Sequence, residues 1–141
     1  MVSVIAMMSA VILVAISGFH LYWAGGGQLG SAVAIPKRAD GGELLFKPRA
    51  VETVAVAILL LAAAAALLVQ ANLIHLGNVD RYARIICIVC AVVFFIRAVG
   101  EFNYLGLFKK VRNTVFGKYD TLYYSPLCLF LALSYMLALL L

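Results

Sequence analysis

The sequence predicts an all-α integral membrane protein: a four-helix bundle with a basic amphipathic loop or interfacial helix between spans three and four. Hydrophobic residues make up 66% of the chain and charged residues 12%, and the mean hydropathy is +1.09. A soluble domain is typically about 45–50% apolar and about 25% charged. Four apolar runs have roughly the 20 residues that a helix needs to cross a bilayer. These observations exclude an ordinary soluble domain.

Chain length indicates the domain organisation, and net charge indicates the kind of partner. The 141 residues suit one transmembrane domain, with spans at about 2–23, 50–69, 82–104 and 122–141. The net charge of +5 suits anionic lipid headgroups. No nucleic-acid-binding motif accompanies the basic, aromatic segment that follows the third span. We therefore expect membrane lipid as a partner and no nucleic acid.

The first apolar run, 2–23, has few polar interruptions, and one of them is His20 near its end. A secretory signal peptide would have a basic start and an apolar stretch of about 7–15 residues. This run is longer, and no lysine or arginine precedes Lys37. The run is therefore predicted to be a retained membrane helix.

The remaining spans each carry one distinguishing feature. Small side chains at 62–66 let neighbouring helices approach the second span closely, so we expect that span to be central in the bundle. The third span contains Arg97 and Glu101, one turn apart on one face, the spacing at which such side chains pair. In the fourth span, Ser125 is predicted to be the N-cap and Pro126 the first residue of the helix.

Basic residues predict the orientation of the spans. Arg81 and Arg84 flank the second loop, whereas the first and third loops hold four basic residues each. Those eight residues are Lys37, Arg38, Lys47, Arg49, Lys109, Lys110, Arg112 and Lys118. The positive-inside rule then places loops one and three in the cytoplasm and both termini outside.

Two interpretations of Arg97 and Glu101 stay open. The two side chains either form an ion pair that marks the helix end, or they belong to a functional polar pocket. Up-and-down topology brings further polar residues near span ends to the same membrane level. These residues are His20, Trp23, Glu52, Thr53, Asp120, Tyr123, Tyr124 and Ser125. We therefore predict a pocket at the cytoplasmic leaflet.

Candidate site residues follow from that pocket. The ligand-binding candidates are Arg97, Glu101, His20, Trp23, Lys109 and Tyr124. The candidates for proton transfer are His20, Glu101 and Asp120, although no spacing specifies a reaction. No metal site is expected, because His20 and His75 fall at opposite membrane faces, and no cofactor is expected.

Cys87 and Cys90 form a C-x-x-C motif inside the third span. A membrane thiol oxidoreductase would use such a pair, and this remains an alternative function. Cysteine is also an ordinary small apolar residue in a helix. No second cysteine pair is present to relay electrons, since Cys128 stands alone.

The third loop has an amphipathic pattern. On a helical wheel Tyr104, Phe108, Val111 and Val115 form one stripe, and Lys109, Lys110 and Asn113 lie opposite. Such a pattern is typical of a basic helix in the headgroup plane. An ordinary positively charged loop is the alternative.

Several segments carry a resemblance to a known family. They are FHLYWAGGG at 19–27, Pro36, RAVGEFNYLGLFKKVRNTVFGKYDT at 97–121 and YYSPLCL at 123–129. With them the chain resembles a family of small bacterial four-span membrane proteins, domain of unknown function 3995, over nearly its whole length. The resemblance implies a multi-pass protein of the bacterial inner membrane and assigns no substrate, cofactor or catalytic residue.

The leading functional hypothesis is a binder, or an enzyme, for an amphipathic or lipid-like molecule. Its polar head would enter the cytoplasmic-side pocket, where Arg97 and Lys109 would hold an anionic group. The competing hypothesis is a structural or accessory subunit of a membrane protein complex. A homo-oligomer or a protein partner is compatible with either hypothesis.

Overall fold

The computed structural model describes residues 1–39 and 43–141 and confirms the all-α prediction. The elements in chain order are α1 (Val2–Ala24), α2 (Ser31–Ala34), α3 (Ala50–Gln70), α4 (Asp80–Val99), α5 (Val115–Tyr119), a π-helical turn (Asp120–Tyr124) and α6 (Ser125–Leu140). In the described residues no strand forms, and extended pairing is limited to one antiparallel bridge between Lys37 and Leu44.

Four helical stretches are long and apolar enough to cross a membrane: Val2–Ala24, Ala50–Gln70, Asp80–Val99 and Val115–Leu140. In a helix the backbone N–H and C=O groups hydrogen-bond to each other, which is necessary in the bilayer core because no water is present there. Between 17% and 33% of each stretch is buried inside the bundle. The apolar remainder faces outward, where it is compatible with contact with membrane lipid.

The long helices form a closed ring in which α1 packs on α3, α3 on α4, α4 on α6 and α6 on α1. The second span, α3, also contacts α6 across the ring. It therefore touches all three other long helices, as its alanine-rich sequence predicts. The same contacts give α6 an equally central position.

One half of the bundle is tightly packed. The buried core comes from the first halves of α1 and α4 and the second halves of α3 and α6. Because neighbouring helices run antiparallel, these four halves lie together, away from the first loop. Small residues such as Ala10 and Ala63 let the backbones approach. Tyr135 fills the remaining space and donates a hydrogen bond to the Ala63 carbonyl at 2.8 Å.

The other half lies at the end where α1 finishes and α3 begins, which we call the first-loop side. Bulky side chains such as Phe19, Leu60 and Phe94 take the place of the alanines there. They leave space between the four helices. The packing therefore closes the bundle at one end and opens it at the other.

The ends of the third and fourth spans differ from the prediction. The third helix ends at Val99 rather than near residue 104, because Gly100 adopts a left-handed φ of +85°. The fourth helical stretch begins at Val115 rather than at Pro126. Thr114 is its N-cap and accepts a hydrogen bond from the Gly117 N–H at 3.0 Å. The prediction that Ser125 caps this helix is therefore wrong.

Pro126 lies inside this continuous helical stretch. Proline lacks an N–H, and in a regular α-helix its ring clashes with the carbonyl four residues earlier. The π-helical turn Asp120–Tyr124 immediately precedes it, and Ser125 donates its N–H to the Asp120 carbonyl. The wider turn accommodates the proline ring. It also leaves the Asp120 side chain fully buried.

Candidate functional site

A cavity of about 590 Å³, here called the inner cavity, lies between the four long helices on the first-loop side. Its lining is mostly apolar, and Ile16, Phe94 and Leu131 mark its deep part. Four of the six predicted ligand-binding residues line it: His20, Trp23, Arg97 and Tyr124. The structure thus brings these four residues together, whereas Glu101 and Lys109 lie outside the lining.

A second cavity, here called the outer cavity, has a volume of about 540 Å³. It lies between the first loop and the start of α3, and its polar lining includes Ser31, Lys47, Glu52 and Thr53. His20, Trp23, Ala34 and Val56 line both cavities. The two cavities therefore adjoin each other at these four residues.

Asp120 organises the charged residues beside the inner cavity. Its Oδ1 accepts hydrogen bonds from Arg97 Nη2 at 2.9 Å and from Ser125 Oγ at 3.2 Å. Its Oδ2 accepts from the Gly106 N–H at 2.8 Å and lies 3.0 Å from Lys109 Nζ. We call Arg97, Lys109 and Asp120 the charge cluster.

Lys109 is fully buried, which is unusual for an isolated ammonium group but feasible for one that is paired. Its Nζ donates to the Gly106 carbonyl at 3.0 Å and to Thr121 Oγ1 at 2.6 Å, and it pairs with Asp120. These three acceptors match the three donors of an ammonium group. Lys109 is not among the residues that line either cavity.

Arg97 joins the charge cluster to the inner cavity. Its Nη2 is paired with Asp120, whereas its Nη1 is buried and has no hydrogen-bond partner among the described residues. A buried donor without a partner is costly. The charge cluster contains two cations and one carboxylate. Arg97 therefore brings an excess of positive charge to the cavity lining and has one donor, Nη1, that the described residues leave unpaired.

The predicted pairing of Arg97 with Glu101 is wrong. Glu101 lies beyond the end of α4, is exposed, and accepts hydrogen bonds from the backbone N–H groups of Tyr104 and Leu105. The i, i+4 spacing assumed that the helix continues through Glu101. Gly100 ends the helix first, and Asp120 takes the place of Glu101 as the partner of Arg97.

The helical stripe predicted for residues 104–115 is also absent, because the segment from Gly100 to Thr114 folds as an irregular loop. The Leu107 N–H donates to the Ala98 carbonyl at 2.9 Å and so returns the loop to the end of α4. Gly106, with φ of +87°, packs directly against Gly100. The basic loop is present, but Lys109 points inward rather than toward headgroups.

The three candidates for proton transfer are separated in the structure. His20 lines both cavities, whereas Glu101 and Asp120 line neither. The Nδ1 of His20 donates to the Ile16 carbonyl at 2.8 Å, since a carbonyl can only accept. Its Nε2 is then available as an acceptor. Of these three candidates, His20 alone lies at the cavities.

Trp23 and Tyr124 attach the first loop to the bundle. Trp23 Nε1 donates to the Leu29 carbonyl at 2.8 Å, and Tyr124 Oη donates to the Val33 carbonyl at 3.1 Å. These bonds hold α2 next to the place where the two cavities adjoin, and its Ala34 lines both of them. Both residues thus shape the cavities as well as line them.

Cys87 and Cys90 are free thiols in the tightly packed half. Cys87 is fully buried in the core, and Cys90 packs against it, so the motif lies away from the inner cavity. Cys128, by contrast, lines that cavity. Residues 1–39 and 43–141 contain no cluster of three or more His, Cys, Asp or Glu side chains that could hold a metal ion.

The sequence-based reasoning missed the pairing of Asp120 and the structural role of Lys109. Asp120 is an acidic residue directly before the apolar segment of the fourth span. An acidic side chain at this position was the signal in the sequence that it needs a charged partner. Its partners are distant in sequence: Arg97 is on α4 and Gly106 is in the third loop. No periodic pattern connects such positions.

The chain belongs to a family described as "Protein of unknown function (DUF3995)". The family model matches residues 13–135 and so covers α3 and α4 completely, α1 and α6 in part, and every lining residue of both cavities. This match confirms the family that the sequence resembled. No curated protein and no solved structure matches the chain at a significant level.

Proposed function

We propose that this protein binds an amphipathic, lipid-like anion, with its polar head at Arg97 and its apolar part in the inner cavity. One observation carries the proposal: Arg97 lines an interhelical apolar cavity while its buried Nη1 has no partner in the described chain. Nη1 itself is buried, so an anionic oxygen in the cavity would become that partner after the guanidinium group turns toward it. Guanidinium groups are well suited to carboxylate and phosphate oxygens.

The charges around the cavity favour an anion over a cation. Arg97 is the charged residue in the cavity lining, and the charge cluster has an excess of positive charge. Asp120 is surrounded by donors and does not line the cavity. A cationic head would therefore meet a guanidinium group and no exposed carboxylate.

The dimensions of the inner cavity suit part of a lipid. Ile16 and Trp23 on α1 lie about 10 Å apart along the axis at 1.5 Å per residue. One leaflet of hydrocarbon is about 15 Å thick, half of a typical bilayer core. The volume of about 590 Å³ lies within the usual range for small-molecule sites. The inner cavity therefore has room for part of an apolar chain from one leaflet.

A transport pathway is less well supported than a binding site. The core of the other bundle half includes Leu13, Leu67 and Leu131, each fully or almost fully buried. This layer separates the inner cavity from the far side of the bundle. The cavity is therefore a pocket with one polar end, and we propose no reaction for it.

We place the protein in the bacterial inner membrane with the first-loop side in the cytoplasm. The distribution of lysine and arginine supports this orientation. The test uses single cysteines at Lys37, Asn78 and Lys118 in a variant without native cysteines. A membrane-impermeant thiol reagent applied to intact cells should label position 78 and spare the other two. The reverse pattern would place the cavity in the outer leaflet.

The binding proposal is tested with a dansyl-labelled fatty acid, a single-chain anionic amphiphile whose fluorescence rises in apolar surroundings. Leu60→Trp would fill the inner cavity without touching the charge cluster. Leu59→Trp is its matched control, because Leu59 is 67% exposed on the same helix. We expect saturable binding to the wild type and the control, and at least tenfold weaker binding to Leu60→Trp.

Equal binding to Leu59→Trp and Leu60→Trp would contradict the proposal, since the probe would then report only the outer surface. Native mass spectrometry of the purified protein provides an independent check. A retained anionic amphiphile in the wild type and its loss from Leu60→Trp supports binding. A stoichiometric protein partner without any amphiphile would favour the accessory-subunit function.

A further inference from the structure

The two cavities are arranged one after the other along the bundle axis. On α1, Ile16 lines the inner cavity, His20 lines both, and Ala24 lines the outer cavity. On α3, which runs in the opposite direction, Leu60 lines the inner cavity and Thr53 the outer one. The outer cavity therefore adjoins the inner cavity on the side of the first-loop surface.

Arg97 lies at the end of the inner cavity that is nearer to the outer one. Helix α4 ends at Val99, about 3 Å further along the axis. Phe94, the other α4 residue in the lining, lies about one turn deeper. A charge held by Arg97 therefore has apolar space on one side and the outer cavity on the other.

The outer cavity offers polar groups beyond that charge. The Glu52 Oε2 accepts the Arg49 N–H at 3.1 Å, and within residues 1–39 and 43–141 Oε1 has no hydrogen-bond partner. Thr53 Oγ1 donates to the Arg49 carbonyl at 2.9 Å and can still accept. Lys47 adds a cationic donor in the same lining. Hydroxyl or amine groups of a ligand would find partners there.

We propose that the occupant is a phosphodiester amphiphile, with its chain in the inner cavity, its phosphate at Arg97 and its headgroup in the outer cavity. This inference rests on the proposed function. A phosphodiester carries its negative charge between two substituents, which matches a cation placed between two cavities. A carboxylate or a phosphate monoester ends at its charge and would leave the outer cavity without an occupant.

The test compares two single-chain probes with the same acyl chain, lysophosphatidylglycerol and lysophosphatidic acid. They differ in the glycerol that makes the first a diester. Binding is measured by displacement of the dansyl-labelled fatty acid from the detergent-solubilised protein. We expect the diester to bind about tenfold more tightly, as one or two additional hydrogen bonds would produce. Charge alone would favour the more highly charged monoester.

A pair of variants separates this inference from the proposed function. Ser31→Trp would fill the outer cavity, because Ser31 lines that cavity and not the inner one. Leu29→Trp is the control, since Leu29 is 72% exposed and lines neither. We expect Ser31→Trp to weaken diester binding about tenfold while monoester binding stays unchanged, and Leu29→Trp to change neither.

Equal binding of the two probes, preference for the monoester, or equal losses of both in Ser31→Trp would overturn this inference and leave the proposed function standing. Failure of both lysolipids and of the fatty acid to bind would overturn the proposed function, and the present inference with it.

Discussion

Replacing Asp120 with asparagine tests the central role of this residue in the charge cluster. The side chain keeps its shape but loses its charge, so Arg97 and Lys109 lose their common counter-ion. Lys109 is fully buried, whereas the Arg97 side chain is 28% exposed and partly screened by solvent. Removing one partner from a buried ion pair costs about 3–5 kcal/mol. We expect about 3 kcal/mol, mostly from Lys109.

Thermal unfolding in detergent measures this loss. A thiol-reactive fluorogenic dye reports unfolding through Cys87, which is fully buried in the folded state, in a background where the partly exposed Cys90 and Cys128 are replaced by alanine. A loss of about 3 kcal/mol corresponds to a fall in Tm of roughly 10 °C for a chain of this size. Glu101→Gln is the control, because Glu101 is exposed and contacts only nearby backbone N–H groups in the described structure. Its Tm should fall by less than about 3 °C.

Lys109→Met tests whether Lys109 is the cation responsible for the loss of stability in Asp120→Asn. In that background Asp120→Asn no longer leaves a buried ammonium group without a counter-ion. We therefore expect the cost of Asp120→Asn to fall by about 1–3 kcal/mol, the usual range for coupled neighbours. Additive effects of the two substitutions, or a larger loss from Glu101→Gln than from Asp120→Asn, would refute the assignment.

Two further predictions concern packing. Gly100→Ala should lower Tm by more than about 5 °C, because a Cβ at this position would overlap the Leu105 carbonyl and the backbone has a φ of +85°. Gly18→Ala is the control: Gly18 lies in open space on α1, so this substitution should not lower Tm. Tyr135→Phe should cost about 1 kcal/mol through the lost hydrogen bond to the Ala63 carbonyl. Both are measured by thermal unfolding, and unchanged Tm values for Gly100→Ala and Tyr135→Phe would contradict them.

The membrane spans were predictable because the bilayer imposes a simple rule on sequence. A spanning segment must be helical and apolar over a fixed length, so hydropathy alone locates it. The second span, for example, was predicted at 50–69 and is found at Ala50–Gln70. Up-and-down connectivity then brought His20, Trp23, Arg97 and Tyr124 to one end of the bundle, where they line one cavity.

The span ends were less predictable, because local backbone geometry and distant contacts determine them. Gly100 ends α4 before Glu101, and only a contact with Asp120, twenty-three positions from Arg97, supplies the missing partner. Helical periodicity describes neighbours one turn apart and contains no information about such a contact. The inward position of Lys109 likewise depends on how the third loop folds.

The charge cluster connects the fold to the proposed site through a single side chain. A guanidinium group has more N–H donors than Arg97 needs for its hydrogen bond to Asp120. Lys109 is a purely structural cation, because each of its three ammonium N–H groups has an acceptor within the protein. Arg97 differs from it because Nη2 holds Asp120 while Nη1 stays buried without a partner in the described residues. The contact with Asp120 therefore holds a cation with an unused donor in the lining of the inner cavity, and this difference between the two cations is what favours a bound anion over a merely structural cluster.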